Sequence, residues 1–335
     1  MNLKKLPSLS VVIIGRNEGQ RLIDCINSVL AMNNPPDNLE IIYVDSDSKD
    51  GSPERALALG VQVIVVHPKR PAAAIGRNAG WQVAHAPLIL FLDGDTILQP
   101  NFTKKALKNF EDPTVAIVYG HIYELYPQNS IYQRVLNLDW IDEAGIVEFC
   151  GGNALIRRHV LEEVGGYNEL LIAGEEPEMC QRIRTRGYTI LHIDQPMALH
   201  DLGIFRFSQY WQRTERGGHA YAEISTMFKN TAIPLWQHES RKNLFHATLL
   251  VILFVIGLFT SLFLTAWWPL LISVGLFALL SIRSAWKARW KSTNKFTLFL
   301  YGLHSQFQHI PIAFGQLSYF YHRWRGKRRH LIEYK

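Results

Sequence analysis

Short apolar runs and amphipathic stretches alternate through the first hundred positions of the chain. Residues 9–14 form an apolar run of strand length, and residues 19–32 follow with a helical period that sets Leu22, Ile26, Val29 and Leu30 on one face. The alternation continues with a strand over 39–44, a helix over 52–59, a strand over 61–66, a helix over 72–84 and a strand over 87–92. Strands separated by helices in this way predict an α/β fold, with a mostly parallel sheet covered by helices on both faces. Past residue 95 the pattern is mixed. Strands are expected over 115–119 and 190–193, and helices over 132–144 and 178–186. No internal repeat or low-complexity segment interrupts it.

From residue 245 the pattern changes. Residues 245–266 run 22 positions without a charged side chain, long enough to cross a bilayer as a helix. Trp267, Trp268 and Pro269 read as an interfacial turn, and residues 270–282 as a second, shorter apolar run. Arg241 and Lys242 precede this hairpin, and Arg283, Lys287, Arg289, Lys291 and Lys295 follow it, so both flanks belong on the cytoplasmic side. Residues 296–321 are apolar and aromatic but carry His304, Gln306, Gln308, His309 and Gln316. A crossing here would leave Arg323, Arg325, Lys327, Arg328 and Arg329 outside. An interfacial or re-entrant helix is expected instead, with the basic cluster on anionic lipid headgroups.

Hydrophobic residues make up 48% of the chain and charged residues 19%, which excludes a disordered protein. Of 35 Lys and Arg, thirteen lie from Arg241 onward, against one acidic residue, Glu333, of 29; the part before holds 22 basic and 28 acidic residues. A mildly acidic part joined to a basic apolar tail points to the membrane, and no nucleic-acid partner is expected. Cys25, Cys150 and Cys180 make neither a disulfide framework nor a metal pattern, which suits a reducing compartment. The apolar run after Lys4 and Lys5 is too short for a signal peptide and reads as the first strand.

Ligands of open α/β sheets bind beyond the carboxyl ends of the strands. Three polar clusters stand at those ends: Arg16-Asn17-Glu18, Asp45-Ser46-Asp47-Ser48 and Asp93-Gly94-Asp95. Two carboxylates one residue apart suit a hard divalent cation, Mg²⁺ or Mn²⁺, and the oxygens of a diphosphate, while Gly94 permits close approach. Asp-Gly is also a common turn. Three strands delivering polar residues to one edge make it a candidate site.

These stretches resemble family 2 glycosyltransferases. Residues 10–18 (SVVIIGRNE) look like that family's first strand and donor-binding loop, and residues 41–52 (IIYVDSDSKDGS) like its second strand and acidic loop. Residues 76–95 (GRNAGWQVAHAPLILFLDGD) resemble its Arg-Asn helix and DxD motif. Residues 151–167 (GGNALIRRHVLEEVGGY), followed by Gly174-Glu175-Glu176, resemble its acceptor region and catalytic carboxylate. The resemblance implies a GT-A fold, Rossmann-like and mostly parallel, and a metal-dependent inverting transferase using a nucleotide-sugar donor. By that resemblance Arg16, Asn17 and Glu18 serve the donor, Asp45 binds the nucleobase, and Asp47 assists at base or ribose. Arg77 would lie near the diphosphate, Asp93 would meet ribose or metal, Asp95 would ligate the metal and His200 would complete its site. Gly152 and Asn153 fall in the acceptor region.

Glu176 is the implied base, with Glu175 as the alternative, because the family usually has Glu-Asp here. Pro177 is expected to open a helix that stops at Gly187. The dipole at that N-terminus would weaken Glu176 as a base unless desolvation or a neighbouring charge offsets it. Trp211, Arg213 and Arg216 either close over donor or acceptor or face solvent on a linker helix. Residues 209–218 lack the Gln-x-x-Arg-Trp motif of polymerising members, so transfer of a single sugar is expected, with a processive polysaccharide synthase as the alternative. A catalytically silent membrane scaffold is the alternative of another class.

The expected layout is a cytoplasmic catalytic domain over 1–230, with a nucleotide-binding half over 1–95 and an acceptor half over 96–230. A linker over 231–244, the hairpin over 245–283 and a basic cytoplasmic or interfacial tail over 284–335 complete it. Anchorage to the inner (cytoplasmic) membrane as a multi-pass protein is most useful where the acceptor is also membrane-borne. The expected partners are therefore a lipid-linked or glycan acceptor and membrane lipids.

Overall fold

A computed structural model describes residues 9–326; Lys4, Lys5, Lys327, Arg328 and Arg329 lie outside the described residues. Among these, nine strands form one mixed sheet: β1 (Leu9–Gly15), β2 (Leu39–Asp45), β3 (Gln62–Val65), β4 (Leu88–Asp93), β5 (Thr96–Leu98), β6 (Val115–Glu124), β7 (Gly145–Val147), β8 (Ala154–Arg157) and β9 (Thr189–His200). The helices are α1 (Gln20–Leu30), α2 (Ser52–Ala58), α3 (Ala73–Val83), α4 (Phe102–Ala106), α5 (Ile131–Asp139), α6 (Arg158–Val164) and α7 (Glu175–Arg184). They continue with α8 (Phe207–Met227), α9 (Gln237–Leu264), α10 (Trp268–Lys287), α11 (Lys295–Phe307) and α12 (His309–Trp324). Two compact units divide the chain elsewhere than at residue 230. One holds the residues up to Leu125 with Trp140–Leu202, the other Tyr126–Asp139 with the residues from Gly203 on.

The first unit contains the sheet, in the order β3-β2-β1-β4-β8-β6-β9-β5, with β7 paired to β9. β3, β2, β1 and β4 are parallel, and β8 joins β4 antiparallel. Both faces of β1 are buried: Leu9, Val11 and Ile13 pack with Leu22, Ile26 and Val29 of α1, while Val12 and Ile14 pack with Ala74 and Trp81 of α3. Burial on both faces is why β1 and β4 read as near-continuous apolar runs. Leu30, expected on the core face, is exposed, and Cys25 is buried instead. At 3.6 residues per turn Leu30 lies about 80° round the helix from Leu22, at the margin of the buried arc.

Gly80 sits where α3 crosses the sheet. A Cβ there would lie 2.3 Å from Val12 Cγ1 and 3.1 Å from Val44 Cγ2, both on fully buried, β-branched side chains. Gly80→Ala is expected to destabilise by about 1–3 kcal/mol through overpacking, read as a lower thermal midpoint. An unchanged midpoint would mean that α3 lifts off the sheet without cost.

Two expectations for the mixed part are corrected. The helix predicted over 132–144 stops at Asp139, because residues 145–147 are drawn into antiparallel pairing with β9. β6 and β9 run well past the predicted 115–119 and 190–193: they pair with each other through register shifts around residues 119–122, which carry the ladder across polar positions such as His121.

The second unit is helical. α9 and α10 are each long and apolar enough to cross a membrane, with 18-residue windows of mean hydropathy 2.7 and 1.6. They meet closely at Gly257, where a Cβ would lie 2.3 Å from Ser273 Oγ, and that hydroxyl donates to the Leu253 carbonyl at 2.8 Å. The proposed linker over 231–244 is helical from Gln237. Trp268 and Pro269 open α10 rather than forming a turn, a position that suits proline's missing N–H; the reversal falls at Thr265, with φ 49°.

Residues 296–321 are two helices meeting at Gln308, not one. α12 lies against α8 at small residues, since a Cβ on Gly218 would meet the Ile312 carbonyl at 2.1 Å and one on Gly315 the Glu215 carbonyl at 2.0 Å. The polar side chains that made this segment ambiguous face other helices of the unit. His304 bridges Tyr210 Oη at 2.8 Å and Asp139 at 3.1 Å, and Gln316 donates to Ser240 Oγ at 2.7 Å.

Candidate functional site

Register brings the three clusters together in the first unit. Gly15 lies opposite Asp45, and Ile14 opposite Asp93, so the loops after β1, β2 and β4 leave the sheet side by side. The first two are laced to each other: Asn17 N donates to Ser48 Oγ at 2.8 Å, Lys49 N to Asn17 Oδ1 at 2.8 Å and Gly19 N to Asp50 at 2.9 Å. Asn17 and Asp47 both take left-handed backbone, φ 56° and 63°, which Asn and Asp tolerate best among non-glycine residues.

Asp45, a candidate contact for the base, has no exposed surface. The Tyr43 hydroxyl donates to it at 2.6 Å and the Ser48 amide at 2.7 Å, so it braces the loop. Asp47 reaches solvent, paired with Lys49 at 2.8 Å and His67 at 2.9 Å, and these hydrogen bonds hold its carboxyl below the ordinary range. Arg16 is exposed, and Glu18 pairs with Arg21 at 2.7 Å.

The turn after β4 is fixed by its backbone. Asp93 N donates to Asn153 Oδ1 at 2.9 Å, and Gly94 N to the Ile14 carbonyl at 2.8 Å. Antiparallel pairing of β5 with β9 sets Thr96 opposite His200, which brings His200 Nε2 to 3.2 Å from Asp95 Oδ1. Ligating atoms of Asp93, Asp95 and His200 all lie within 4.8 Å of one another. Two carboxylates and an imidazole converging in this way are a donor set that Mg²⁺ or Mn²⁺ accepts. Trp140 meets the His200 ring edge-on at 5.2 Å.

Beside this trio Arg77 is buried as the hub of three carboxylates. Its Nη1 is 3.1 Å from Glu175 and 3.0 Å from Glu176, and its Nη2 is 3.0 Å from Asp93. Burial works against the Arg77 charge, but Glu176, Asp93 and Glu175 together raise its pKa above the ordinary value. α7 begins at Glu175, two residues before the expected Pro177, after Gly174 in left-handed backbone with φ 84°. Burial first, and then the Glu175 charge, push the Glu176 carboxyl up to about 7, with Arg77 pulling the other way. The weakening expected at a helix N-terminus is thereby overcome. Glu176 is also the more open of the pair, its side chain 15% exposed against 6% for Glu175.

Gly152 and Asn153, expected on the acceptor, back the charge cluster. A Cβ on Gly152 would lie 2.3 Å from Arg77 Nη2 and 3.0 Å from Asp93 Oδ2, so a side chain there would displace the guanidinium from its ion pairs. Trp211, Arg213 and Arg216 belong to α8 in the second unit, where Trp211 packs on Phe314 at 5.5 Å and Phe307 at 6.3 Å. α8 is thus packed and not a solvated linker.

Sequence reasoning missed three contributors. Asn78 donates to the Tyr167 carbonyl and accepts from the Tyr167 amide and Trp81 Nε1, each at 2.9 Å, tying α3 to the 166–169 loop. Tyr167 lies under the Arg77 guanidinium at 5.6 Å. Trp140 carried no local signal. Asn78 did, standing next to Arg77 in a quoted motif.

A family model described as glycosyl transferase family 2 matches residues 10–165, and one described as glycosyl transferase family group 2 matches residues 88–281. Glycosyltransferase AglE of Haloferax volcanii is 24% identical over 206 residues, covering 58% of this chain and 67% of its own. O-antigen chain rhamnosyltransferase WbaN of Salmonella anatum is 25% identical over 268 residues, covering 69% and 84%. Among solved structures, the mannosyltransferase PcManGT of Pyrobaculum calidifontis, in complex with GDP-Man and Mn²⁺, superposes with a TM-score of 0.61 at 17% identity, over 95% of this chain and 88% of that one.

Proposed function

The chain belongs to glycosyl transferase family 2, a glycosyltransferase of glycan or polysaccharide biosynthesis with a GT-A fold, and from that premise we propose that it moves one sugar, with inversion, from a nucleoside-diphosphate sugar to a lipid-linked acceptor. The observation that carries this reading is the Arg77 hub, which holds a proton-avid Glu176 beside Asp93, itself one of three converging metal-type ligands. Glu176 takes the proton of the acceptor hydroxyl as that oxygen attacks the anomeric carbon, and the nucleoside diphosphate leaves from the opposite face. Glu175 and Asp93 keep Arg77 fixed against Glu176, so the base does not swing away. A divalent cation held by Asp93, Asp95 and His200 would stabilise the charge developing on the leaving diphosphate. Asp47, with Arg16, Asn17 and Glu18, is the polar surface offered to the nucleoside. The GDP-Man and Mn²⁺ of the mannosyltransferase support that donor class and that cation class.

α9 and α10 anchor the enzyme as a membrane hairpin, with Arg241, Lys242, Arg283 and Lys287 at its cytoplasmic end. The acceptor is then most simply a molecule of the same bilayer, and the enzyme a protein of the cytoplasmic membrane. The test is a panel of nucleotide sugars with full-length protein in detergent, Mg²⁺ or Mn²⁺ and membrane lipid extract. One donor turned over, with one sugar added per lipid, is the expected result. A ladder of products would replace single transfer with polymerisation, and a folded protein that turns over no donor would overturn the reading.

A further inference from the structure

We propose that Cys150 and Cys180 are a redox modification site: a peroxide joins them in a reversible disulfide, and that bond shuts down the site built around Arg77. Their sulfurs lie 3.6 Å apart, within hydrogen-bond distance of each other, although 30 positions separate them in the chain. Both residues are buried, and both are free thiols. The third cysteine, Cys25, packs in the apolar cluster on the other face of the sheet and does not compete for either sulfur.

Each sulfur is a short step from the charged hub. Cys180 follows Glu176 by four residues on α7, which sets the two on one face of the helix, a turn apart. Cys150 stands two residues before Gly152, where a Cβ would come 2.3 Å from Arg77 Nη2. The guanidinium is held between the two, by ion pairs to Glu175 and Glu176 on the α7 side and by close contact with Gly152 on the other. A disulfide draws its sulfurs well inside contact distance. The bond pulls α7 toward the 150–152 segment across a guanidinium without slack, and a close-packed interior passes that movement on to Glu176.

The thiols are quiet at rest. The hydrogen bond with Cys180, and then burial, push the Cys150 thiol well above its ordinary range, while Arg77 works the other way. Bulky reagents do not reach a buried pair, whereas hydrogen peroxide is scarcely larger than water. One thiolate attacks a peroxide oxygen and becomes a sulfenic acid; the other oxygen leaves as hydroxide and takes up the thiol's proton as water. The second sulfur attacks the sulfenic sulfur, whose hydroxyl leaves with the second thiol's proton as another water. Two thiols and one peroxide thus give one disulfide and two waters, and a small dithiol reverses the step by exchange. Disulfides in reducing compartments are mostly transient bonds of this kind.

The experiment treats full-length protein in detergent with hydrogen peroxide and maps its peptides by mass spectrometry without reduction. A Cys150–Cys180 cross-linked peptide, lighter by two hydrogens, is expected, with Cys25 still a thiol. The bond is read whether or not sugar is turned over; its effect on transfer rests on the function proposed above. There kcat should fall about a hundredfold, the cost of misplacing a reacting group by about 1 Å, with KM for the donor little changed. Dithiothreitol should restore it. Cys180→Ser, which keeps the size of the side chain, should transfer sugar as the unmodified protein does and retain that activity through the peroxide treatment. Cys150→Ala removes the other sulfur and should behave alike. Absence of the cross-linked peptide, a cross-link that leaves kcat unchanged, a loss that dithiothreitol does not reverse, or an equal loss in both variants overturns the proposal. If neither variant folds, the peptide map and the dithiothreitol reversal on the unmodified protein decide. If the untreated protein turns over no donor, the proposed function falls, and the peptide map alone judges the bond.

Discussion

Glu176→Gln is expected to cut sugar transfer by about 10²–10⁴-fold, the usual contribution of a positioned general base, while donor binding survives. The amide keeps the length of the side chain and an oxygen for Arg77, which approaches Glu176 at 3.0 Å, so the loss would be one of proton acceptance and not of architecture. A thermal midpoint close to that of the unmodified protein checks the second half of that statement. The pH profile checks the first. Only the unprotonated carboxylate is a base, and burial with the neighbouring Glu175 charge pushes this group up to about 7, so kcat/KM should fall as pH drops through about 7. Glu175→Gln removes a charge that raises the pKa of Glu176, and the acid limb should move to lower pH. The stability linkage has the matching sign. The folded chain binds this proton more tightly than an ordinary carboxyl of 4.5, so the group's contribution to stability declines as pH rises from there through about 7. If Glu175→Gln abolished transfer and Glu176→Gln left most of it, the base would be Glu175.

Asp95→Ala should remove the response to divalent cation altogether. Asp95 is 5% exposed and stands 3.2 Å from His200, so no neighbouring side chain swings in to replace it. Mn²⁺ at a hundred times its Kd would stabilise the unmodified protein by about 2.7 kcal/mol, and that thermal shift should vanish in the variant. Turnover should drop by more than about 100-fold, since outer partners of metal ligands already cost about 10–100-fold when removed. A retained shift in Asp95→Ala, or full turnover of the unmodified protein in chelator, would take the cation out of the reading.

What was legible in the chain was local. The strands β1 to β4, the helix α3 and the two long apolar helices each announce themselves within one window. A strand buried on both faces must be apolar throughout, and a span without charges has one economical environment. The three polar clusters at strand ends were legible for the same reason, since one sheet edge collects whatever follows each parallel strand. Asp93, Asp95 and His200 lie within 4.8 Å of one another by their ligand atoms, though His200 comes from a strand more than 100 positions on.

Tertiary structure alone decided how those clusters are used. Arg77 and Glu175 are 98 positions apart, and no periodicity foretells that one buried guanidinium would gather Glu175, Glu176 and Asp93. Burial of Asp45 follows from Tyr43 and the Ser48 amide closing on it, and the tight fit at Gly152 follows from the Arg77 side chain lying against it. β7 is likewise set by a partner, since β9 pairs residues 145–147 as a strand just beyond the expected helix, and polar groups on α8 and α9 take in side chains that looked out of place in an apolar segment. The sequence by itself determined which residues were available at one edge of the sheet and which helices were fit for a membrane, because those properties depend on neighbours within a few turns. Charge pairing, desolvation and close backbone approach depend on groups brought together from distant parts of the chain, and these gathered Asp93, Glu175 and Glu176 on one guanidinium and set Asp95 against His200.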